Sequence, residues 1–253
     1  MINISDLNQY ASKSKMDRFT VLREYLQIVF LNTFFRLSKG SSIVFKGGTS
    51  LRLMYGSLRY SEDLDFNTTL EKGDLQKLLE QTLIESGKYL PGLSYKELKT
   101  IKGYSGKIHF VSEVAPMPLT VKLDFSMREK TIEKYESTIS TEFPIKTHSL
   151  VVTMTEAEIL AEKIRTVFQR EKGRDIYDIW FLLNKKTPLN SRLVNTKFKL
   201  INKKFSLDEV RKHILGFNKN VLEKDLFKFL PFDQRTIVKN LPEIVADKLK
   251  RAG

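Results

Sequence analysis

Two aspartates one residue apart stand in the run Asp63-Leu64-Asp65-Phe66. Side chains of an extended strand alternate between faces, so both carboxylates share one face and Leu64 and Phe66 share the other. Like charges about 7 Å apart along a strand repel unless a cation lies between them. Oxygen donors of this kind suit Mg2+ or Mn2+. A third acid, Asp124, lies in Val121-Lys122-Leu123-Asp124-Phe125, where Lys122, Asp124 and Ser126 alternate with apolar residues. If that strand neighbours the first, Asp63, Asp65 and Asp124 become ligands for two ions roughly 4 Å apart, the arrangement of two-metal phosphoryl chemistry. The bland alternative is a pair of surface aspartates, because Asp-x-Asp by itself is common.

A second feature lies just upstream. Lys46-Gly47-Gly48-Thr49 falls between an expected strand and an expected helix. Paired glycines let the backbone approach a phosphate, and a helix N-terminus offers N–H groups to an anion. An ordinary strand-to-helix turn would use glycine as well. The spacing fits neither a P-loop nor a Rossmann turn.

The elements that must position these residues can be read in outline. Phe19, Leu22, Leu26, Val29, Phe30 and Phe34 recur at spacings of three and four, which predicts a helix over 16–37. Residues 42–45 and 63–66 read as strands, with a short helix over 50–54 between them, and 74–86 reads as a helix. Residues 107–111 and 120–126 are expected as neighbouring strands, joined through Ala115-Pro116-Met117-Pro118, whose prolines must lie outside a sheet interior. Beyond Pro144 the pattern turns helical. Thr155 to Glu158 and Ser206 to Glu209 are capping-box candidates, with helices over 155–170 and 173–183 and a last one from about 233. The expected fold is α+β: a mixed sheet with helices in residues 1–150, and a mostly helical, basic domain over 151–253 that completes the active site.

Composition narrows the class. The chain has 253 residues, 41% of them hydrophobic, enough for a large core. The absence of cysteine excludes disulfides and thiolate chemistry, and three histidines disfavour a zinc site. Residues 1–15 are too polar for a signal peptide, and the most apolar window, 25–35, is too short to span a bilayer, so a cytoplasmic protein without a membrane partner is expected. The formal charge is +13, and residues 185–228 hold twelve basic and four acidic residues. Such a tract is either a solvated lysine-rich surface or a face for a polyanion such as RNA. His109 alternates with Ile108 and Phe110 in a strand and reads as structural, His148 and His213 have no nearby partner pattern, and Trp180 reads as helix core.

Taken together, these residues resemble the polymerase-β-type nucleotidyltransferases, with their Gly-Gly turn, Asp-x-Asp strand and third acid. More closely, Lys46 to Arg52 followed by Arg59-Tyr60-Ser61-Glu62-Asp63-Leu64-Asp65-Phe66 is similar to the AbiEii/AbiGii family. Those proteins are toxins of abortive-infection, type IV toxin–antitoxin systems and relatives of the mycobacterial MenT enzymes. Ala161-Glu162-Lys163 and Arg174-Asp175-Ile176-Tyr177-Asp178 match two further motifs of that family. The resemblance spans residues 46–178. It implies that Gly47, Gly48 and Thr49 face the nucleotide phosphates and that Ser61 touches them. It also implies Asp63, Asp65 and Asp124 as catalytic metal ligands, and Lys163 and Asp178 as a further catalytic pair. Lys163 would be a point charge on the triphosphate, or alternatively a lysine that snorkels into water. Asp178 would otherwise pair with Arg174 or Arg165, and Asp175 would serve the helix N-terminus.

The activity this implies is Mg2+- or Mn2+-dependent transfer of NMP from an NTP, with pyrophosphate leaving. The implied acceptor is RNA, in particular the 3′ end of tRNA, and the implied partner is a cognate antitoxin. Two alternatives stay open: a protein or small-molecule hydroxyl as acceptor, and a catalytically silent nucleic-acid-binding protein.

Overall fold

The computed structural model describes residues 2–38, 40–100, 103–115 and 117–252. By contacts the chain divides into two compact units, Met1–Met154 and Thr155–Gly253. The first is a mixed α/β unit and the second is helical, as the α+β expectation requires.

The first unit is organised by its second helix. In chain order it contains α1 (Ile4–Ser14), α2 (Arg18–Leu37), β1 (Ile43–Lys46), α3 (Gly47–Tyr55), β2 (Leu64–Thr68) and α4 (Lys72–Gly87). Then follow β3 (Leu93–Leu98), β4 (Tyr104–Phe110), β5 (Leu119–Ser126), β6 (Lys134–Ser137) and β7 (Val151–Met154). Asp17 caps α2 by accepting from Thr20 N, which fixes the start of the apolar stripe. The stripe lands on the sheet: the Phe34 ring lies 5.4 Å from Phe66 and 5.9 Å from Phe125, centroid to centroid. Each buried phenylalanine contributes about 1.5–3 kcal/mol.

The seven strands run in the order β3-β4-β5-β2-β1-β7-β6. β2 pairs with β5 in parallel, and so does β1 with β7; the remaining pairs are antiparallel. The expected neighbours β4 and β5 are indeed paired. Pro118 immediately precedes β5 and so costs the ladder no donor; Pro116 lies outside the described residues.

Three features depart from the expectation. Residues 151–154 were expected in a helical region but form β7, buried along its whole length. A short apolar run hydrogen-bonded to parallel β1 carries no period that separates strand from helix. The polar start contains α1, capped by Asn3, whose buried residues are Leu7 and Ala11, too narrow a stripe to stand out. In the second unit, residues 232–240 are 3-10 helix, and the last α-helix begins only at Leu241.

The second unit comprises α5 (Glu156–Thr166), α6 (Gly173–Asn184), α7 (Ser191–Lys199), α8 (Leu207–Leu215), α9 (Lys219–Leu226) and α10 (Leu241–Ala252). Both capping residues act as expected: Thr155 accepts from Glu158 N, and Ser206 from Glu209 N. α5 packs against α6 and α7, and α10 packs against α6 and α8. Among the described residues no helix is long and apolar enough to cross a membrane.

Candidate active site

Strand register assembles the first cluster. Phe45, Phe66, Phe125 and Tyr104 pair side by side across β1, β2, β5 and β4. Phe66 stacks on Phe125 at 4.7 Å, and Phe45 lies 5.4 Å from Phe66. This aromatic row is buried beneath α2 and sets the register of all four strands. One residue along, and therefore on the other face, runs the row Lys46, Asp65, Asp124 and Ser105. A one-residue slip would bury the charged row and expose the aromatic one.

The segment ahead of β2 is clamped from both sides. Gln27, 2% exposed on α2, donates to the carbonyls of Ser61 and Glu62 at 3.1 Å. From α3, the Thr49 hydroxyl donates to the carbonyl of Asp63. Arg52 of α3 forms a two-pronged pair with Glu24 of α2 at 2.7 and 3.2 Å, and donates to the Ser57 carbonyl. Its guanidinium also lies 3.9 Å from the Tyr60 ring centroid. The helix pair thus fixes the backbone that carries Ser61, Asp63 and Asp65.

The glycines are required by close approach. Gly47 opens α3 with φ of +81°, and a Cβ there would stand 2.4 Å from Asp65 Oδ2. At Gly48 a Cβ would stand 2.1 Å from Arg59 Nη2 and 3.2 Å from Ser61 Oγ. The turn therefore brings the N-terminus of α3 against Asp65, Arg59 and Ser61, with no side-chain cap from Lys46. Arg59 is 2% exposed, and its Nη1 donates to the Tyr60 carbonyl at 2.9 Å. The sequence motif contains this arginine, but only its burial beside Gly48 marks it as part of the site. Thr49 is 1% exposed, and the contact of its hydroxyl is with Asp63.

Of the three expected metal ligands, Asp65 and Asp124 are register partners, and Asp63 immediately precedes β2. All three are half-buried. Asp124 accepts from Ser105 Oγ and from Lys122 Nζ. Partial burial opposes the charge of Lys122, but its hydrogen bond to Asp124 and the charges of Asp124, Asp63 and Asp65 outweigh it. The net effect holds the ammonium above the ordinary lysine pKa. Among the described residues no three acids or histidines enclose a metal position by themselves. The donors nonetheless fit an open Mg2+ or Mn2+ site, in which one or two carboxylates bind the ion and substrate oxygens complete its shell. Lys122 places one cation on this face, against Asp124.

The second unit holds a charge cluster of its own. Lys163 of α5 reaches Asp175 Oδ1 at 2.8 Å and Asp178 Oδ2 at 2.6 Å, both on α6. Arg170 closes on Asp175 through Nε at 2.8 Å and Nη2 at 3.1 Å. Both aspartates are completely buried. Burial alone would raise the Asp175 pKa, but Lys163 and Arg170 reverse the effect and lower it below the ordinary carboxylate value. Lys163 therefore does not snorkel, and Asp175 does more than serve a helix terminus. A second buried pair, Lys197 with Glu158 at 2.7 Å, ties α7 to α5.

Comparisons with known proteins bear on the family and the fold. The family described as nucleotidyl transferase AbiEii toxin, type IV toxin–antitoxin system, matches residues 29–240. Among solved structures, the chain is similar to MenT4, a nucleotidyltransferase toxin of Mycobacterium tuberculosis, with TM-score 0.60 and 17% identity over 100% of this chain and 94% of that one. It is similar also to JHP933 of Helicobacter pylori, with TM-score 0.56 and 19% identity over 93% of this chain and 95% of that one. At such identities these two likenesses speak for the fold. No curated protein matches the chain in sequence.

Proposed function

The chain belongs to the AbiEii family of nucleotidyltransferase toxins of type IV toxin–antitoxin systems, and from that premise we propose that it transfers NMP from an NTP to an RNA hydroxyl, with Mg2+ or Mn2+, at the 3′ end of tRNA. The observation that carries the reading is the row Lys46, Asp65, Asp124 and Ser105 beside the N-terminus of α3. An acidic face and an uncapped helix start suit the two ends of one substrate, a metal-bound triphosphate.

In this reading Gly47 and Gly48 let the backbone N–H groups of α3 approach the phosphates, and Ser61 and Arg59 flank them. Asp63, Asp65 and Asp124 would hold the ion. When bound, it supplies a lowered pKa for the acceptor hydroxyl and neutralises charge on the triphosphate. Lys163 supplies positive charge for the leaving pyrophosphate, with Asp175 and Asp178 fixing its ammonium. The basic tract 185–228 supports a polyanionic acceptor. A cognate antitoxin is the partner that the family implies, and the cytoplasm is the compartment that holds both NTP and tRNA.

The test uses the protein with Mg2+, total tRNA and each labelled NTP in turn, beside Asp63→Ala. Label on tRNA from one NTP, lost in the variant, is the expected result. NTP binding without labelled tRNA would overturn the RNA acceptor and turn attention to protein or small-molecule hydroxyls.

A further inference from the structure

Lys122 is a cation of the acid face to which the transfer reaction itself assigns no role. It lies two residues before Asp124 on β5, so both side chains emerge on the same face. The parallel register sets Asp65 beside Asp124 and Leu64 beside Leu123, and Asp63 immediately precedes that ladder. The Lys122 ammonium is hydrogen-bonded to Asp124 and lies within the field of the Asp63 and Asp65 carboxylates. Its partner across the antiparallel ladder is Lys107 of β4, also a cation. Like charges directly opposite in a sheet repel, so Lys107 favours the acid-facing position of Lys122. The side chain is 39% exposed and that of Asp124 is 36% exposed, so the pair can separate into water without opening the core.

We propose that Lys122 is a tethered, displaceable cation that holds Asp63, Asp65 and Asp124 together before the reaction and competes with the divalent ion for them. This rests on the metal reading given above. Three carboxylates on neighbouring strands repel one another, and a lysine on a flexible four-carbon stem neutralises part of that charge. A divalent ion entering the same face meets this ammonium at short range and must displace it. Lys122 is accordingly a positioning residue that tunes how tightly the ion is held; it is not itself a ligand. Arginine keeps the charge and should keep the competition, whereas methionine keeps the stem and removes it.

The experiment is Mn2+ binding to the full chain, followed by electron paramagnetic resonance of the free ion, for wild type, Lys122→Met and Lys122→Arg. Folding of each is checked by circular dichroism. Lys122→Met should bind Mn2+ more tightly, on the order of tenfold, because a like charge has been taken from the site. Lys122→Arg should stay near wild type. Equal or weaker binding in Lys122→Met overturns the proposal while leaving the metal reading intact. If the wild type binds no Mn2+ and Asp65→Asn behaves identically, the metal reading itself fails and the proposal fails with it.

Discussion

Both units place a lysine among aspartates, and they do so to opposite effect. On the acid face, Lys122 meets Asp124 where both side chains are more than a third exposed, and the charges of Asp63 and Asp65 act on the same ammonium. Between α5 and α6, Lys163 meets Asp175 and Asp178 with both acids fully buried and Arg170 balancing the count. A half-exposed pair is worth little to stability and exchanges partners readily. A buried pair contributes mainly through the cost of breaking it. Substitutions of the acid-face carboxylates should therefore be felt in chemistry far more than in stability, whereas those in the cluster between α5 and α6 should be felt in folding whatever they do to chemistry.

The sharpest contrast is Lys163→Met. It removes the cation that buried Asp175 and Asp178 share, leaving Arg170 on Asp175, and should cost about 3–5 kcal/mol, a fall in melting temperature of roughly 10 °C for a chain this size. Wild-type stability in that variant would break the comparison.

Acid should expose the same cluster more gently. The Asp175 pKa is lowered in the folded protein, so its stabilising contribution is complete above the unfolded carboxylate value of about 3.9. That contribution is lost as pH falls through the folded pKa. Asp175→Asn should flatten this acid limb in urea titrations below about pH 4 and leave the pH 5–8 region level. An unchanged limb would assign acid sensitivity to other carboxylates.

At the glycine turn the expected cost is intermediate. Gly48→Ala pushes a methyl group into Arg59 Nη2 and should destabilise by about 1–3 kcal/mol, measurable by denaturant titration, while lowering nucleotide affinity. Smallest of all, Asp124→Asn should change stability by less than about 1 kcal/mol. A larger loss in that titration would mean that the acid face is as structural as the buried cluster.

The chemistry was more legible in the sequence than the frame around it. Alternation put Asp63 and Asp65 on one face because that pattern is local, whereas the parallel β2–β5 pairing that sets Asp124 beside Asp65 stood in the sequence only as a condition. Lys46 and Ser105 joined the row only through strand order, which local periodicity does not encode. β7 was hidden in a short run, Val151 to Met154, buried along its whole length and so without alternation, and β3 and β6 are edge strands with too little burial to mark a face. Asp175 and Asp178 were visible as a helical pair at a spacing of three. That Lys163 pairs with both was not, because the partner sits on another helix. Arg59 shows the same limit: nothing local distinguishes a buried arginine from a surface one.

The central claim is that the row on β1, β2, β5 and β4 performs nucleotidyl transfer without carrying the fold. The direct measurement is pyrophosphate release from the NTP together with melting temperature, on wild type and Asp65→Asn. The account predicts a rate lower by at least about a hundredfold, equivalent to roughly 3 kcal/mol of barrier, at a melting temperature within a few degrees of wild type. A wild-type rate in Asp65→Asn, or a lost rate accompanied by unfolding, would contradict it.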